Sequence, residues 1–288
     1  MTQAHNKPTR DSLRDFELSG IGLPADEQHR YGEISKRMSE LGSKFSNNVL
    51  DATMGWSKQV TDEASLAGMP ESALAAAQAA AQAKDLEGYL LTLDIPSYLP
   101  VMTYCDNAAL RQEMYEAYVT RASDRGPNAG QWDNSEIINE LLKLRHELAR
   151  MLGFNSYSEK SLATKMAENP GQVLGFLNDL ATKAKPQGER EVEELRQFAK
   201  NEYGVDTLNL WDIAYYSEKQ KQHLFNISDE ELRPYFPEDK AVSGLFEVLK
   251  RVFGMTVTER HGVDVWHDSV KFYDITACHL STSNTVDK

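Results

Sequence analysis

The sequence predicts a mainly α-helical fold with a few short β-strands near residues 89–93 and 256–275. Apolar residues recur at intervals of three or four over most of the chain, the spacing of one helix face. An alanine run at 73–83 favours helix through its small side-chain entropy loss. Alternating β-branched and aromatic residues are confined to a few short stretches.

The first long element runs from Asp26 to about Trp56, where Tyr31, Ile34, Met38, Leu41, Phe45, Val49 and Ala52 make one amphipathic stripe that needs a partner. After the helix-ending "AGMP" at 67–70, "ESALAAAQAAAQAK" reads as a plain helix. "GYLLTLDIPSYLPVMTY" is broken by Pro96 and Pro100 and reads as a short strand and a turn rather than helix. Helix resumes in "NAALRQEMYEAYVTRAS", stops at "DRGPNAG", and restarts after Asp133 or Asn134, either of which can serve as N-cap. Further helices are expected over 135–152, 170–201 with an interruption around Pro186 and Gly188, 211–224 and 238–253. Ser228 and Glu231 fit a capping box ahead of a short turn of helix. "MTVTE", "VDVW" and "SVKFYDI" then read as strands.

No repeat and no Pro- or Ser-rich linker divides the chain, so residues 1–275 are expected to form one helical body, with 276–288 a polar tail. The polar N-terminus lacks the apolar core of a secretory signal, and the apolar runs are too short to span a bilayer, so a cytoplasmic location is the expectation. Forty-four acidic against 31 basic residues give a net charge of -13, which opposes binding to nucleic acid. Cys105 and Cys278 form no C-x-x-C pair and read as free thiols.

Candidate chemistry is sparse. In "LKLRHELARML", residues 142–152, the His146–Glu147 pair begins a zinc-peptidase pattern, but its fifth position is Arg150, which cannot ligate zinc. With Ile137, Leu141, Leu144, Leu148 and Met151 forming the buried stripe, His146 points roughly opposite it, so the pair reads as a solvated helix face. No other histidines have i, i+4 spacing. His261 and His267 flank "HGVDVWH" and read as strand-end or loop residues. No G-x-S-x-G elbow and no phosphate-binding glycine loop occurs. Trp211, Tyr215 and Tyr216, close to Asp212 and Glu218, could stack on a peptide, although aromatic residues at helical spacing more often form core. The sequence thus assigns no catalytic and no metal-binding residue, and one set of peptide-contact candidates.

"RDFELSGIGLP", "KFSNNVLDAT", "YEAYVTRASD", "LRHELARMLGF", "SLATKMAENPGQVLGFLNDL", "LWDIAYYSEK", "GLFEVLKRVFGMTVTE" and "VWHDSVKFYDI" occur in an order that resembles the thimet oligopeptidase (M3) family of zinc metallopeptidases, from about residue 14 to Ile275. The resemblance implies a multi-helical channel scaffold that admits short peptides, in the cytosol. It places the H-E-x-x-H helix and a further Glu ligand C-terminal to the stretch resembled by "DVWHDSVKFYDI". The chain then reads as a central fragment lacking the catalytic motif: zinc is the cofactor of the intact family, none is expected here, and the isolated chain is expected to be inactive. A complementary C-terminal catalytic segment is the partner that would supply the zinc site. A non-catalytic helical peptide- or protein-binding module is the alternative. Helices built to pack on segments outside the chain are expected to leave apolar faces bare and to favour association.

Overall fold

A computed structural model describes residues 3–277, and their side chains apart from those of residues 3–6, 229 and 230. Cys278, His279 and the rest of the expected tail beyond Ala277 lie outside the described residues. The chain divides into two compact units, Met1–Leu224 and Phe225–Lys288. No composition change marks that boundary, which falls at the end of a helix.

The first unit begins with α1 (Gln3–Leu18) and α2 (Ala25–Met54). The sequence reading contains no helix at α1, whose Leu13 and Phe16 are exposed. In α2 the stripe holds: Ile34, Leu41 and Ala52 are buried, with Asp26 and Glu27 in the first turn, where carboxylates favour the positive end of the helix dipole. β1 (Ser57–Val60) precedes a 3-10 turn at Glu63–Leu66, then α3 (Glu71–Gln82) on the alanine run and β2 (Tyr89–Thr92). β1 and β2 pair antiparallel, Ser57 opposite Thr92 and Val60 opposite Tyr89. β1 carries a single apolar residue, Val60, so no alternation announced it.

α4 (Ile95–Tyr104) corrects the expectation of a turn over 95–104. Pro96 stands in the first turn, where its missing N–H has no intrahelical acceptor to lose, and only Pro100 removes a ladder bond. Burial of Tyr98, Val101 and Met102 offsets that loss. α5 (Ala108–Val119) follows, with the Asn107 side chain accepting from the Leu110 N–H at 3.2 Å. The main core lies among β1, β2, α3, α4 and α5, built from Trp56, Leu66, Leu91, Leu93, Val101, Leu110 and Met114 with their neighbours. Each fully buried side chain of this size contributes about 1.5–3 kcal/mol.

α6 (Ser135–Met151) packs on α2. Asn134 occupies its N-cap position without capping. Its amide accepts from Asn48 Nδ2 at 2.8 Å and donates to the Phe45 carbonyl, tying the start of α6 to α2. Asp133 accepts from the Ser135 N–H and hydroxyl, at 2.8 and 2.7 Å, which holds its carboxyl below the usual range. α7 (Tyr157–Leu162) is short, capped by Ser156, and α8 (Pro170–Tyr203) is the longest helix described. Asn169 caps α8 through the Gln172 N–H at 2.9 Å, Pro170 fits its first turn, and Gly204, at φ 68°, ends it in the left-handed conformation. The expected interruption around Pro186 and Gly188 is absent: the helix runs through both. Those residues are exposed, so the carbonyl that Pro186 leaves without a donor can be hydrated. A 3-10 turn at Leu210–Asp212 leads into α9 (Ile213–Phe225), and Leu195 and Ala199 of α8 form a second buried cluster with Tyr215 and Tyr216.

The second unit contains α10 (Asp229–Leu232), a 3-10 turn at Arg233–Tyr235, α11 (Glu238–Phe253), β3 (Met255–Glu259) and β4 (Tyr273–Ala277). The Glu231 N–H lies 3.4 Å from Ser228 Oγ, on the donor side of the expected capping box. β3 pairs antiparallel with β4, Met255 opposite Ala277. "VDVW" is loop rather than strand, and "SVKFYDI" becomes strand only from Tyr273; Val265 and Trp266 remain exposed, so nothing buries the apolar half of the alternation. α11 sets Phe246 edge-on to Tyr273 of β4, at 5.1 Å between ring centroids, while Leu245, Val248 and Val252 are bare. No described residue of α11, β3 or β4 is buried.

Candidate functional site

The aromatic candidates gather around a buried ion pair. Asp212 ends the 3-10 turn before α9; its carboxylate accepts from the backbone and side-chain N–H groups of Asn209, at 3.2 and 3.1 Å. α5 presents Arg111 on its apolar face, in phase with Leu110, Met114 and Ala117. Arg111 donates to Asp212 Oδ1 at 2.6 Å and to the Cys105 carbonyl at 2.6 Å, and its guanidinium lies over the Tyr215 ring, 4.1 Å from the centroid. Arg111 is 1% exposed and Asp212 4%, so both charges are withdrawn from water, and Arg111 Nε is buried without a hydrogen-bond partner. Such a pair holds its elements in one register, because losing either partner strands the other charge.

Tyr215 donates to Asp106 Oδ1 at 2.7 Å, and the Lys219 ammonium lies 3.6 Å from the same oxygen. Burial, reinforced by the Asp106 carboxylate, pushes the Tyr215 hydroxyl well above its ordinary range; burial also raises Tyr216. Tyr216 meets the Tyr215 ring edge-on at 5.0 Å and the Tyr203 ring at 5.5 Å. Of the three sequence candidates, Tyr215 and Tyr216 are buried, whereas Trp211 is half-buried, its ring 6.2 Å from that of Tyr115. The sequence reading missed Arg111; the signal available was an arginine within the apolar stripe of a helix, which needs a buried anion.

A second aromatic group extends this core. Tyr98 stacks on Tyr118 at 4.1 Å, and Arg121 covers the far ring at 3.6 Å from its centroid. Burial first, then the neighbouring Tyr118 and Tyr115, push the Tyr98 hydroxyl up to about 12. A folded-state value above the unfolded value of 10.0 means that the stabilisation is complete below pH 10 and is lost as pH rises through 12. Tyr215 and Tyr216 act in the same direction. The melting temperature should therefore fall across that window, together with the rise of tyrosinate absorbance. A melting temperature that stays constant from pH 10 to pH 12 would contradict the coupling.

Of the His146–Glu147 pair, Glu147 belongs to a clamp between α2 and α6. His146 is exposed. Glu147 stays on the solvated face, 43% exposed, and accepts there from Arg30 of α2 through both oxygens, at 2.7 and 3.0 Å; Glu140 binds Arg37 the same way, at 2.6 and 2.9 Å. These arginines hold both carboxyls below their usual range. All four side chains are 41–49% exposed, so each bridge contributes no more than about 1 kcal/mol. Arg150 donates to Asn155 Oδ1. His261 lies 3.6 Å from Glu259, and His267 Nδ1 meets the Ser269 hydroxyl. Among the described residues no three His, Cys, Asp or Glu side chains come together as metal ligands, so this donor set does not fit zinc. Cys105 is buried beside the Ser65 carbonyl, and burial raises its thiol, opposite to the shift that activates a nucleophile. Among the described residues no helix is long and apolar enough to cross a membrane.

The described residues thus form a mainly helical body with a buried aromatic and ionic node. The family model for Peptidase family M3 matches residues 101–287, and the chain belongs to that family. It is 71% identical over 275 residues to Oligopeptidase A of Escherichia coli, across 96% of this chain and 40% of the relative. It is 64% identical over 272 residues to Oligopeptidase A of Haemophilus influenzae, covering 94% and 40%. With Probable cytosolic oligopeptidase A of Arabidopsis thaliana it shares 39% identity over 285 residues, covering 95% and 40%. The chain thus spans about 40% of the length of the curated relatives it matches.

Proposed function

We propose that these 288 residues are scaffold of a cytosolic zinc metallo-oligopeptidase that hydrolyses short peptides, and that they supply neither its zinc ligands nor its general base. The observation that carries this reading is a 71% match to an oligopeptidase within a chain that contains no H-E-x-x-H sequence. In the whole enzyme, zinc would activate a water against the peptide carbonyl. No part of that step belongs to residues in this chain. Its contribution is a rigid wall in which the Arg111–Asp212 pair locks α5 to the start of α9.

Metal content and hydrolysis of a quenched fluorescent oligopeptide by the purified chain provide the test. Zinc well below one equivalent and no chelator-sensitive cleavage are expected; one equivalent with chelator-sensitive turnover would overturn the reading. The partial exposure of Trp211 favours a second reading, in which the wall holds peptides without turnover. The same peptide, titrated by fluorescence anisotropy, would then bind saturably to the chain and more weakly to Trp211→Ala.

A further inference from the structure

The C-terminal third of α8 is anchored by Leu195 and Ala199, but from Leu174 to Glu191 every residue is exposed. That stretch is about 27 Å long at 1.5 Å per residue. It is not polar all round. Val173, Leu177, Leu180, Ala184, Gly188 and Val192 follow one another at intervals of three or four and run in phase into Leu195 and Ala199. The ion pairs Asp179–Lys183, Lys185–Glu189 and Glu193–Arg196 flank this stripe: Asp179 and Glu193 point away from it, whereas Lys185, Glu189 and Arg196 border it beside Gly188 and Val192. Leu174, Leu177 and Leu180 are 59, 51 and 47% exposed. One continuous stripe is therefore covered at one end, by Tyr215 and Tyr216, and bare over the rest. A helix with that pattern is built to be packed along its whole apolar face.

We propose that the bare stripe of α8 is the docking site for an amphipathic helix from the part of an M3 peptidase polypeptide outside these 288 residues. The inference rests on the reading of this chain as oligopeptidase scaffold. Its occupant follows from the 60% of the Escherichia coli relative's length that lies beyond the match, in a protein 71% identical where the two align. The small residues Ala184 and Gly188 at the centre of the stripe permit close helix approach; a Cβ added to Gly188 would meet nothing within 4 Å.

The test is co-expression of the tagged 288-residue chain with the portion of Escherichia coli oligopeptidase A outside its match, produced as a separate polypeptide. A one-to-one complex is expected. Hydrogen exchange at 174–191 should be fast in the free chain and slow in the complex, and L177D/L180D should bind about a hundredfold more weakly or worse. Both leucines are exposed, so the variant's circular dichroism should match that of the parent chain. Equal binding by parent and variant, unprotected 174–191 in the complex, or no complex at all would each overturn the proposal. A concentration-dependent dimer of the chain, abolished by the same substitutions, would assign the stripe to a second copy and equally overturn it. A protected complex without zinc-dependent cleavage would leave the docking site standing and refute the peptidase reading instead.

Discussion

Replacing Arg111 by Met should destabilise the first unit by about 3–5 kcal/mol, because Asp212 would remain a buried carboxylate with only the Asn209 donors. Asp212→Leu should cost about as much, since it strands a guanidinium that is 1% exposed. The double variant Arg111→Met/Asp212→Leu should recover most of the loss. The two charges attract each other strongly only because both have lost their hydration, and well-packed apolar side chains avoid that cost altogether. Arg111 Nε, already a buried donor without a partner, goes with the arginine, which removes a penalty of about 1–3 kcal/mol. Urea unfolding of the four proteins, followed by circular dichroism, gives the coupling energy directly. Additive losses would show that the pair does not hold α5 against the start of α9.

The contrast between what the sequence declared and what it concealed follows from the range of the interactions. The stripe of α2, the alanine helix α3 and the helix expected over 170–201 are local, and each was legible because its signal recurs within one or two turns. β1 was not, because a four-residue strand with one apolar side chain takes its conformation from β2, 29 residues later at the nearest pair. α4 was misread because two prolines outweighed the burial of Tyr98, Val101 and Met102, which depends on the surrounding core. The site divides in the same way. The phase of α6 placed His146 in solvent, but periodicity could not show that Glu147 is held by Arg30, 117 residues away. Tyr215 stood out by composition. Its partners Arg111 and Asp106 lie over a hundred residues earlier, so its engagement in a buried network emerges only from the fold.

Gly68→Ala should rank with the ion-pair variants, at about 2–5 kcal/mol, by adding two costs at one position. The first is conformational: Gly68 has φ +87°, where a side chain crowds its own carbonyl. The second is steric: an added Cβ would stand 2.4 Å from the Tyr104 carbonyl oxygen and 2.7 Å from Asp106 Oδ1. The carbonyl cannot retreat freely, because this segment is tied to the 66–69 turn by the Asp106 N–H donating to the Ala67 carbonyl at 2.8 Å. Asp106 would have to move, and with it the acceptor of the Tyr215 hydroxyl. Gly130→Ala separates the two costs. Gly130 has φ +77° but open space around the added Cβ, so only the conformational cost applies, about 1–2 kcal/mol. In Gly68→Ala the Tyr215 hydroxyl should titrate closer to its ordinary value, since it loses its carboxylate partner. In Gly130→Ala that titration should be unchanged. Equal destabilisation by the two substitutions, with Tyr215 unaffected in both, would mean that the 66–69 turn does not position Asp106.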